Sequence, residues 1–265
     1  MNKNIFASEK AMVDYYVDDC ADAMRALSTG SIAAWMSETV QGVGGCIPLP
    51  DGYLSGVYEH VKKFGGVTIA DEVQTGFGRC GTHFWGFETQ GVMPDIVTMA
   101  KGIGNGIPLG CVAAREDIMD HIGSKVFFNT YGAQPIQMAV AQAVLDIIDE
   151  EKLQQNCLET GAYFVEKLRE LQKEYPIIAD IRGKGLMLGL EHGTYDASGA
   201  FVPDRETTTF VFNALRDEGV LIGGKGRDGN CFRLKPPMII TRANVDFAIE
   251  KMSKCYAEAR KKFGN

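Results

Sequence analysis

The sequence predicts an α/β fold, in which a mostly parallel sheet is followed by a smaller α+β domain. Apolar runs over 67–70 and 96–100 have the length and composition of strands that are buried on both faces. Asp71 follows the first run, and Lys101 follows the second. In open α/β sheets, ligands bind just outside the carboxyl ends of the strands. We therefore expect a carboxylate and an amine to meet in one binding site.

The first domain is predicted to cover residues 1–150 and to alternate strands with helices, as parallel sheets do. It opens with a polar, helix-like stretch. Strands are expected at 32–36 (ending near Glu38), 67–71, 96–100 and 111–114, with a glycine- and proline-rich loop at 42–52 and a helix at 53–64. The segment 133–149 is almost uninterruptedly apolar, which predicts a helix buried between two bodies of the protein.

A second, smaller domain of mixed helices and strands is predicted from residue 151 to residue 265. Its first helix has apolar residues spaced along one face over 153–171 and stops before Pro176. Further elements are expected as strands at 186–190, 220–222 and 231–234 and as helices at 207–216 and 243–260.

Composition and charge argue against several classes of protein. Hydrophobic residues make up 45% and charged residues 23% of the 265 residues, as in ordinary soluble globular proteins. A net charge of −7 argues against nucleic acid or an anionic membrane as the main partner. No apolar run approaches the roughly 20 residues that span a bilayer. The first residues lack the features of a secretory signal or an organellar presequence, so we expect an intracellular protein.

Cysteine and histidine residues are scattered along the chain. The seven cysteines form no CxxC pair, a pattern typical of reduced thiols in an intracellular protein. The four histidines are equally dispersed, so we expect no histidine-based metal site.

The stretch 224–229 matches the GxGxxG pattern of dinucleotide-binding loops. The segment after it has the pattern of a strand instead of a helix. Without a helix amino terminus to bind a pyrophosphate, the match predicts a hairpin or loop turn. The glycine-rich turn at 102–106 likewise runs into Ile107 and Pro108, which do not open such a helix.

Two segments are far more specific, IADEVQTGFGR at 69–79 and DIVTMAKGIGNG at 95–106. Both closely resemble motifs of the class III, pyridoxal-phosphate-dependent aminotransferases of fold type I. Further segments similar to that family follow in the family's order: ETVQGVGG at 38–45, NTYG at 129–132, RGKG at 182–185 and RLKPP at 233–237. Within the family, HFWGF at 83–87 and the lysine motif are most similar to the mitochondrial alanine–glyoxylate aminotransferase type 2 group.

The resemblance implies that residues 1–150 are part of a large, cofactor-binding domain and that pyridoxal 5′-phosphate is the cofactor. Lys101 would form a Schiff base with it and later shuttle a proton as a free amine. Asp71 would face the ring nitrogen and keep it protonated, so that the ring can accept electrons. Val73 would pack on the ring, Gln74 would hydrogen-bond the phenolic oxygen, and Thr130 would reach across a dimer interface to the neighbour's cofactor phosphate.

The substrate-binding residues are also implied by the resemblance. Arg233 corresponds to the arginine that binds the substrate α-carboxylate, for which a planar, two-pronged donor is well suited. Glu38 corresponds to a glutamate that pairs with that arginine in some members. Arg79 and Arg182 are interpreted as structural.

The implied activity is transfer of an amino group from L-alanine, or a similar amino acid, to glyoxylate or another oxo acid. Two alternatives stay open: another class III activity (ω-amino acid or ornithine transamination, or lyase chemistry), or an inactive remnant that acts only in dimerisation. Family members carry a long portion ahead of the point where this chain starts, so we expect a carboxyl-terminal part of such an enzyme. Small-molecule substrates, a homodimer or higher homo-oligomer and a mitochondrial location are implied in the same way.

Overall fold

The computed structural model describes residues 6–264. Its strands are β1 (Ala34–Glu38), β2 (Val40–Gln41), β3 (Ile47–Pro48), β4 (Val67–Asp71), β5 (Ile96–Met99), β6 (Cys111–Ala114), β7 (Ile178–Lys184), β8 (Met187–Tyr195), β9 (Phe201–Pro203), β10 (Gly223–Lys225) and β11 (Cys231–Leu234). Its α-helices are α1 (Glu9–Leu27), α2 (Tyr53–Lys63), α3 (Glu116–Gly123), α4 (Pro135–Glu150), α5 (Leu153–Glu174), α6 (Arg205–Asp217) and α7 (Arg242–Phe263). Short 3-10 turns lie at Gly86–Gln90 and Lys101–Gly104.

These elements divide into two compact units, and the first contains the parallel strands. It comprises the residues up to Thr39 together with Leu49–Phe77 and His83–Glu150. Its four-stranded sheet has the order β1-β4-β5-β6. Strands β1, β4 and β5 run parallel, and β6 lies antiparallel to β5 at one side. The predicted, mostly parallel sheet is thus confirmed, and the carboxyl ends of its parallel strands share one edge.

Helices α1 and α2 pack together through a small apolar core of the first unit. Val13 and Val17 of α1 belong to the same buried cluster as Val57 and Val61 of α2. A side chain at Gly56 would place its Cβ 2.9 Å from the methyl groups of Val17, so the helices can approach this closely only because glycine lies there. The spacing of apolar residues that predicted α2 therefore reflects a real buried face.

Helix α4 forms where it was predicted, but the prediction that it is buried was wrong. Ile148 is its one buried residue, and Ile136 is 72% exposed. Apolar composition showed that the helix could be buried on all sides. Burial depends on what packs against a helix, and within its own unit α4 mainly meets the turn Lys101–Gly104.

The second unit is built on an antiparallel sheet. It comprises Val40–Pro48, Gly78–Thr82 and the residues from Glu151 onward. The sheet has the order β10-β11-β8-β7, and β9 pairs with β8. Helices α5, α6 and α7 pack with it around one apolar core, whose members include Phe164, Leu168, Leu190, Val211, Phe232 and Val245.

The strand predicted at 220–222 is wrong, because that apolar triplet connects a helix to a strand. The Val220 N–H donates to the Leu215 carbonyl at 2.8 Å, which closes the end of α6, and Leu221 is 83% exposed. The strand begins immediately afterwards, as β10, and pairs antiparallel with β11. The GxGxxG segment is therefore the hairpin turn that the sequence predicted. Strand β7 and helix α3 were not predicted.

The described helices include none that is long and apolar enough to cross a membrane. Within the described residues, no group of histidine, cysteine, aspartate or glutamate side chains could hold a metal ion.

Candidate active site

A row of three polar side chains marks the carboxyl edge of the parallel sheet. Glu38 of β1 is in register with Asp71 of β4, and Asp71 is in register with Thr98 of β5. Side chains in register on neighbouring strands point to the same face of a sheet. Glu38, Asp71 and Thr98 therefore lie side by side, with strands about 4.8 Å apart.

Lys101 follows β5 at the same edge. Ala100 keeps an extended backbone, and Lys101 then opens the 3-10 turn. Asp71 ends β4 and Lys101 lies two residues past β5, so both residues lie at the carboxyl edge of the sheet. The structure thus brings together the carboxylate and the amine that the sequence singled out.

The backbone at Lys101 is in the left-handed region, with φ of 48°. A residue with a Cβ atom adopts this conformation at a cost of about 1–3 kcal/mol, and such residues cluster at functional sites. The turn is held by the Asn105 N–H, which donates to the Lys101 carbonyl at 3.1 Å. The Lys101 side chain is exposed. A fixed backbone therefore presents a reachable amine.

Asp71 is half-buried and oriented from one side by the chain that follows it. The Val73 N–H donates to Asp71 Oδ1 at 3.0 Å. This hydrogen bond keeps Val73 next to Asp71. That position agrees with the predicted role of Val73, which is to pack on a ring bound beside Asp71.

Glu72, the residue after Asp71, is fully buried and has a structural role that was not predicted from the sequence. Its fully buried carboxylate accepts hydrogen bonds from the Thr75 hydroxyl (2.8 Å), the Gly86 N–H (2.8 Å) and the Phe87 N–H (2.9 Å). Burial raises the pKa of Glu72, and these hydrogen bonds oppose the rise. Glu72 ties the segment after β4 to the turn at Gly86–Gln90.

Gln74 lies next to Glu38. Its Nε2 donates to Glu38 Oε2 at 3.1 Å, and both residues are half-buried. The two side chains for which the sequence predicts roles at the cofactor and at the substrate therefore meet at the carboxyl edge of the sheet.

Asp95 fixes the alignment of the strands that carry the site. Its Oδ2 accepts hydrogen bonds from the Thr68 N–H (2.7 Å) and the Thr68 hydroxyl (2.8 Å), and Arg115 pairs with Oδ1 at 2.5 Å. Burial raises the pKa of Asp95, but the hydrogen bonds from Thr68 and the charge of Arg115 outweigh it and hold the pKa below its ordinary value. The start of β5 is thereby joined to the start of β4.

The remaining predicted residues are placed as follows. Arg233 lies in β11 of the second unit, half-buried, and its Nε atom is buried without a hydrogen-bond partner among the described residues. Thr130 lies in an exposed stretch of the first unit, beside the exposed Phe127, Phe128 and Tyr131.

Arg79 and Arg182 make structural contacts within the second unit. Arg79 Nη1 donates to the carbonyls of Leu186 (3.2 Å) and Pro236 (2.9 Å). Arg182 donates to the Gly45 carbonyl at 3.0 Å and pairs with carboxylates on β7 and β8. These bonds hold loops against the antiparallel sheet.

A groove of about 560 Å³ lies between α5 and the β7–β8 turn in the second unit. It is lined by apolar and charged residues that include Leu158, Val165, Arg169 and Lys173. The predicted site residues are not among its lining residues.

Comparison with known proteins gives consistent results. The family model for class-III aminotransferases matches residues 2–256. The chain is 44% identical over 250 residues to alanine–glyoxylate aminotransferase 2 homolog 2, mitochondrial, from Arabidopsis thaliana, covering 94% of this chain and 51% of that protein. It is 43% identical over 238 residues to human alanine–glyoxylate aminotransferase 2, mitochondrial, covering 89% and 46%. The chain thus spans about half the length of the curated relatives it matches.

The fold is also that of solved structures. An amine transaminase from an uncultivated Pseudomonas species, solved in its PLP-bound form, superposes with a TM-score of 0.88 at 32% identity. The match covers 98% of this chain and 60% of that one.

Proposed function

Since the chain belongs to the class-III aminotransferase family, we propose that it carries the catalytic lysine and ring-binding aspartate of a pyridoxal-phosphate-dependent aminotransferase. The observation that carries this proposal is the placement of Asp71 and Lys101 at one edge of the parallel sheet, on neighbouring strands. A buried structural ion pair is a poor explanation, because Lys101 is exposed and Asp71 is only half-buried.

The residues at this edge fit pyridoxal phosphate. Asp71 offers a carboxylate whose orientation the Val73 N–H restricts, which suits a protonated ring nitrogen. Gln74 offers an amide for the phenolic oxygen, and Val73 offers an apolar surface for the ring. When bound, the cofactor supplies an electron sink that stabilises negative charge at the substrate α-carbon.

The roles of the protein side chains follow from this placement. Lys101 would hold the cofactor covalently, and its amine, once freed by the substrate amine, would accept the proton of the substrate α-carbon. The left-handed backbone at Lys101 and the turn behind it fix where that amine can act. Asp71 would favour the protonated form of the ring nitrogen.

Arg233 binds the substrate α-carboxylate in this proposal. Its buried, unpartnered Nε is a donor that a carboxylate would satisfy, and a buried donor without a partner costs about 1–3 kcal/mol. From the names of the relatives, we take L-alanine as amino donor and glyoxylate as acceptor, in the mitochondrion. Residues that hold the cofactor do not distinguish one amino donor from another, so a panel of amino donors decides among them: each true donor removes the near-visible absorbance of the cofactor-loaded protein in a single turnover.

The proposal is tested by reducing the cofactor-loaded protein with borohydride and mapping the modified peptide by mass. We expect one adduct, on Lys101, together with near-visible absorbance that Lys101→Ala abolishes. Lys125→Ala, which removes another exposed lysine of the same unit, is the matched control and keeps both signals. An unmodified Lys101 in protein supplied with the cofactor favours the alternative of a non-catalytic remnant.

A further inference from the structure

The hydroxyl of Thr98 is an unexplained polar group at the candidate site. Its Oγ1 is buried and has no hydrogen-bond partner among the described residues. Leaving a hydroxyl buried and unpaired is unfavourable, because the group loses its hydrogen bonds to water. A strand position of this kind is filled well by valine, which has the same shape without the polar atom.

The neighbours of Thr98 indicate what the hydroxyl could bind. Thr98 is in register with Asp71 and shares its face of the sheet. Asp71 Oδ1 already accepts the Val73 N–H from the chain that follows β4. Thr98 flanks Asp71 on the neighbouring strand β5, and its hydroxyl makes no hydrogen bond to that carboxylate among the described residues.

A second unpaired hydroxyl in the same sheet provides a contrast. The Oγ atom of Ser37 is also buried without a partner among the described residues. Ser37 is in register with Ala70, one residue before Asp71, so its side chain lies on the opposite face. Both hydroxyls are therefore buried without a hydrogen-bond partner among the described residues, but of the two only Thr98 lies on the same face as Asp71.

We propose that Thr98 is a positioning residue for Asp71. Its hydroxyl donates to the carboxylate, directly or through one buried water, when Asp71 engages the ring nitrogen of pyridoxal phosphate. Together with the bond from the Val73 N–H, this second hydrogen bond would restrict the orientation of the carboxylate. The inference rests on the proposed function and adds to it a residue that assists cofactor binding without touching the reacting atoms.

The proposal predicts effects of opposite sign in the cofactor-free and cofactor-loaded protein. Thr98→Val removes an unpaired buried hydroxyl, so the melting temperature of the cofactor-free chain rises by about 2–4 °C. The same change removes a hydrogen bond to a charged group, so the affinity for pyridoxal phosphate falls about tenfold. Thr98→Ser keeps the hydroxyl and restores the affinity.

The experiment combines thermal unfolding of the full chain, with and without cofactor, and a spectroscopic titration with pyridoxal phosphate. Ser37→Ala is the matched control: it removes the other unpaired hydroxyl and leaves the affinity unchanged. If Thr98 has only a structural role, Thr98→Val binds pyridoxal phosphate with the wild-type affinity. That result would overturn the inference. Loss of affinity in Thr98→Ser as well as Thr98→Val also overturns it, because the hydroxyl is then not the cause.

The two proposals fail in distinguishable ways. If the wild-type chain binds pyridoxal phosphate on Lys101 and Thr98→Val binds it equally well, the inference about Thr98 fails alone. If the wild-type chain forms no adduct on Lys101, the proposed function fails and the inference fails with it.

Discussion

The second unit contains a buried histidine that makes its stability depend on pH. His192 of β8 is fully buried in the apolar core. Its Nδ1 lies 3.0 Å from the Asn230 carbonyl and its Nε2 lies 2.6 Å from the Tyr256 hydroxyl. Burial lowers the pKa of His192 from 6.5 to about 4. We predict that acidification destabilises this unit because the imidazole must be neutral in the folded state.

The direction and the size of this loss of stability follow from the lowered pKa of His192. The pKa of His192 in the folded state lies below its value in the unfolded state, so the unfolded chain binds the proton more readily. The stabilisation is complete above about pH 6.5 and is lost as the pH falls toward about 4. A pKa difference of about 2.5 corresponds to about 3 kcal/mol in total, of which about 2 kcal/mol is lost by pH 5.

The assay is urea unfolding, followed by circular dichroism, at about pH 7 and about pH 5. Other groups titrate in this range, so the informative quantity is the difference in pH dependence between wild type and His192→Gln, whose amide does not ionise. The variant is expected to lose about 2 kcal/mol less than the wild type between the two conditions. His121→Gln, at an exposed position, serves as the control and retains the wild-type dependence. Equal pH dependence in wild type and His192→Gln would refute the reasoning.

Two further predictions concern packing and assembly. Gly161→Ala in α5 would place a Cβ against the Gly185 carbonyl oxygen, so we expect the free energy of unfolding to fall by about 2 kcal/mol or more. Gly123→Ala in α3 is the matched control. Its Cβ would meet nothing within 4 Å, and we expect the free energy of unfolding to rise by up to about 1 kcal/mol. Urea unfolding of both variants checks this, and equal effects would contradict it. The exposed Phe127 and Phe128, 79% and 83% accessible, lie beside Thr130 and are expected to be covered in a homodimer. Light scattering after gel filtration should then give the mass of a dimer for the wild type and a lower mass for the double variant Phe127→Ser/Phe128→Ser. A monomeric wild type would contradict the prediction that these side chains are covered in a homodimer.

Much of the first unit could be predicted from the sequence, because β4, β5 and β6 are short, largely apolar runs, and Asp71 and Lys101 mark the ends of the first two. Strands β4 and β6 have the predicted bounds, and Lys101 begins a turn just past β5. Strand β7 was not predicted, since its sequence mixes Asp180, Arg182 and Gly183 with apolar residues. These polar residues are accommodated because Arg182 pairs with Asp180 on its own strand and with Glu191 on the neighbouring strand β8.

The features that sequence could not supply are those that depend on register and on packing partners. Thr98 is one of several threonines in apolar runs, and its relation to Asp71 exists only once β4 and β5 are aligned. The apolar pattern of α4 is as strong as that of a buried helix, yet most of the helix is exposed in this chain. A pattern reports what an element can bury, whereas burial is a property of the assembled structure.

The alignment of β4 with β5 depends on contacts at the opposite end of the strands from the site. Asp95 binds both the N–H and the hydroxyl of Thr68, and Arg115 holds its other oxygen. Slippage by a single residue would break this network and would exchange the two faces of β4, since side chains alternate along a strand. Asp71 would then lie on the face that Ala70 and Ser37 occupy, away from Thr98. The contacts of Asp95 therefore maintain the strand alignment on which the proposed roles of Asp71 and Lys101 depend.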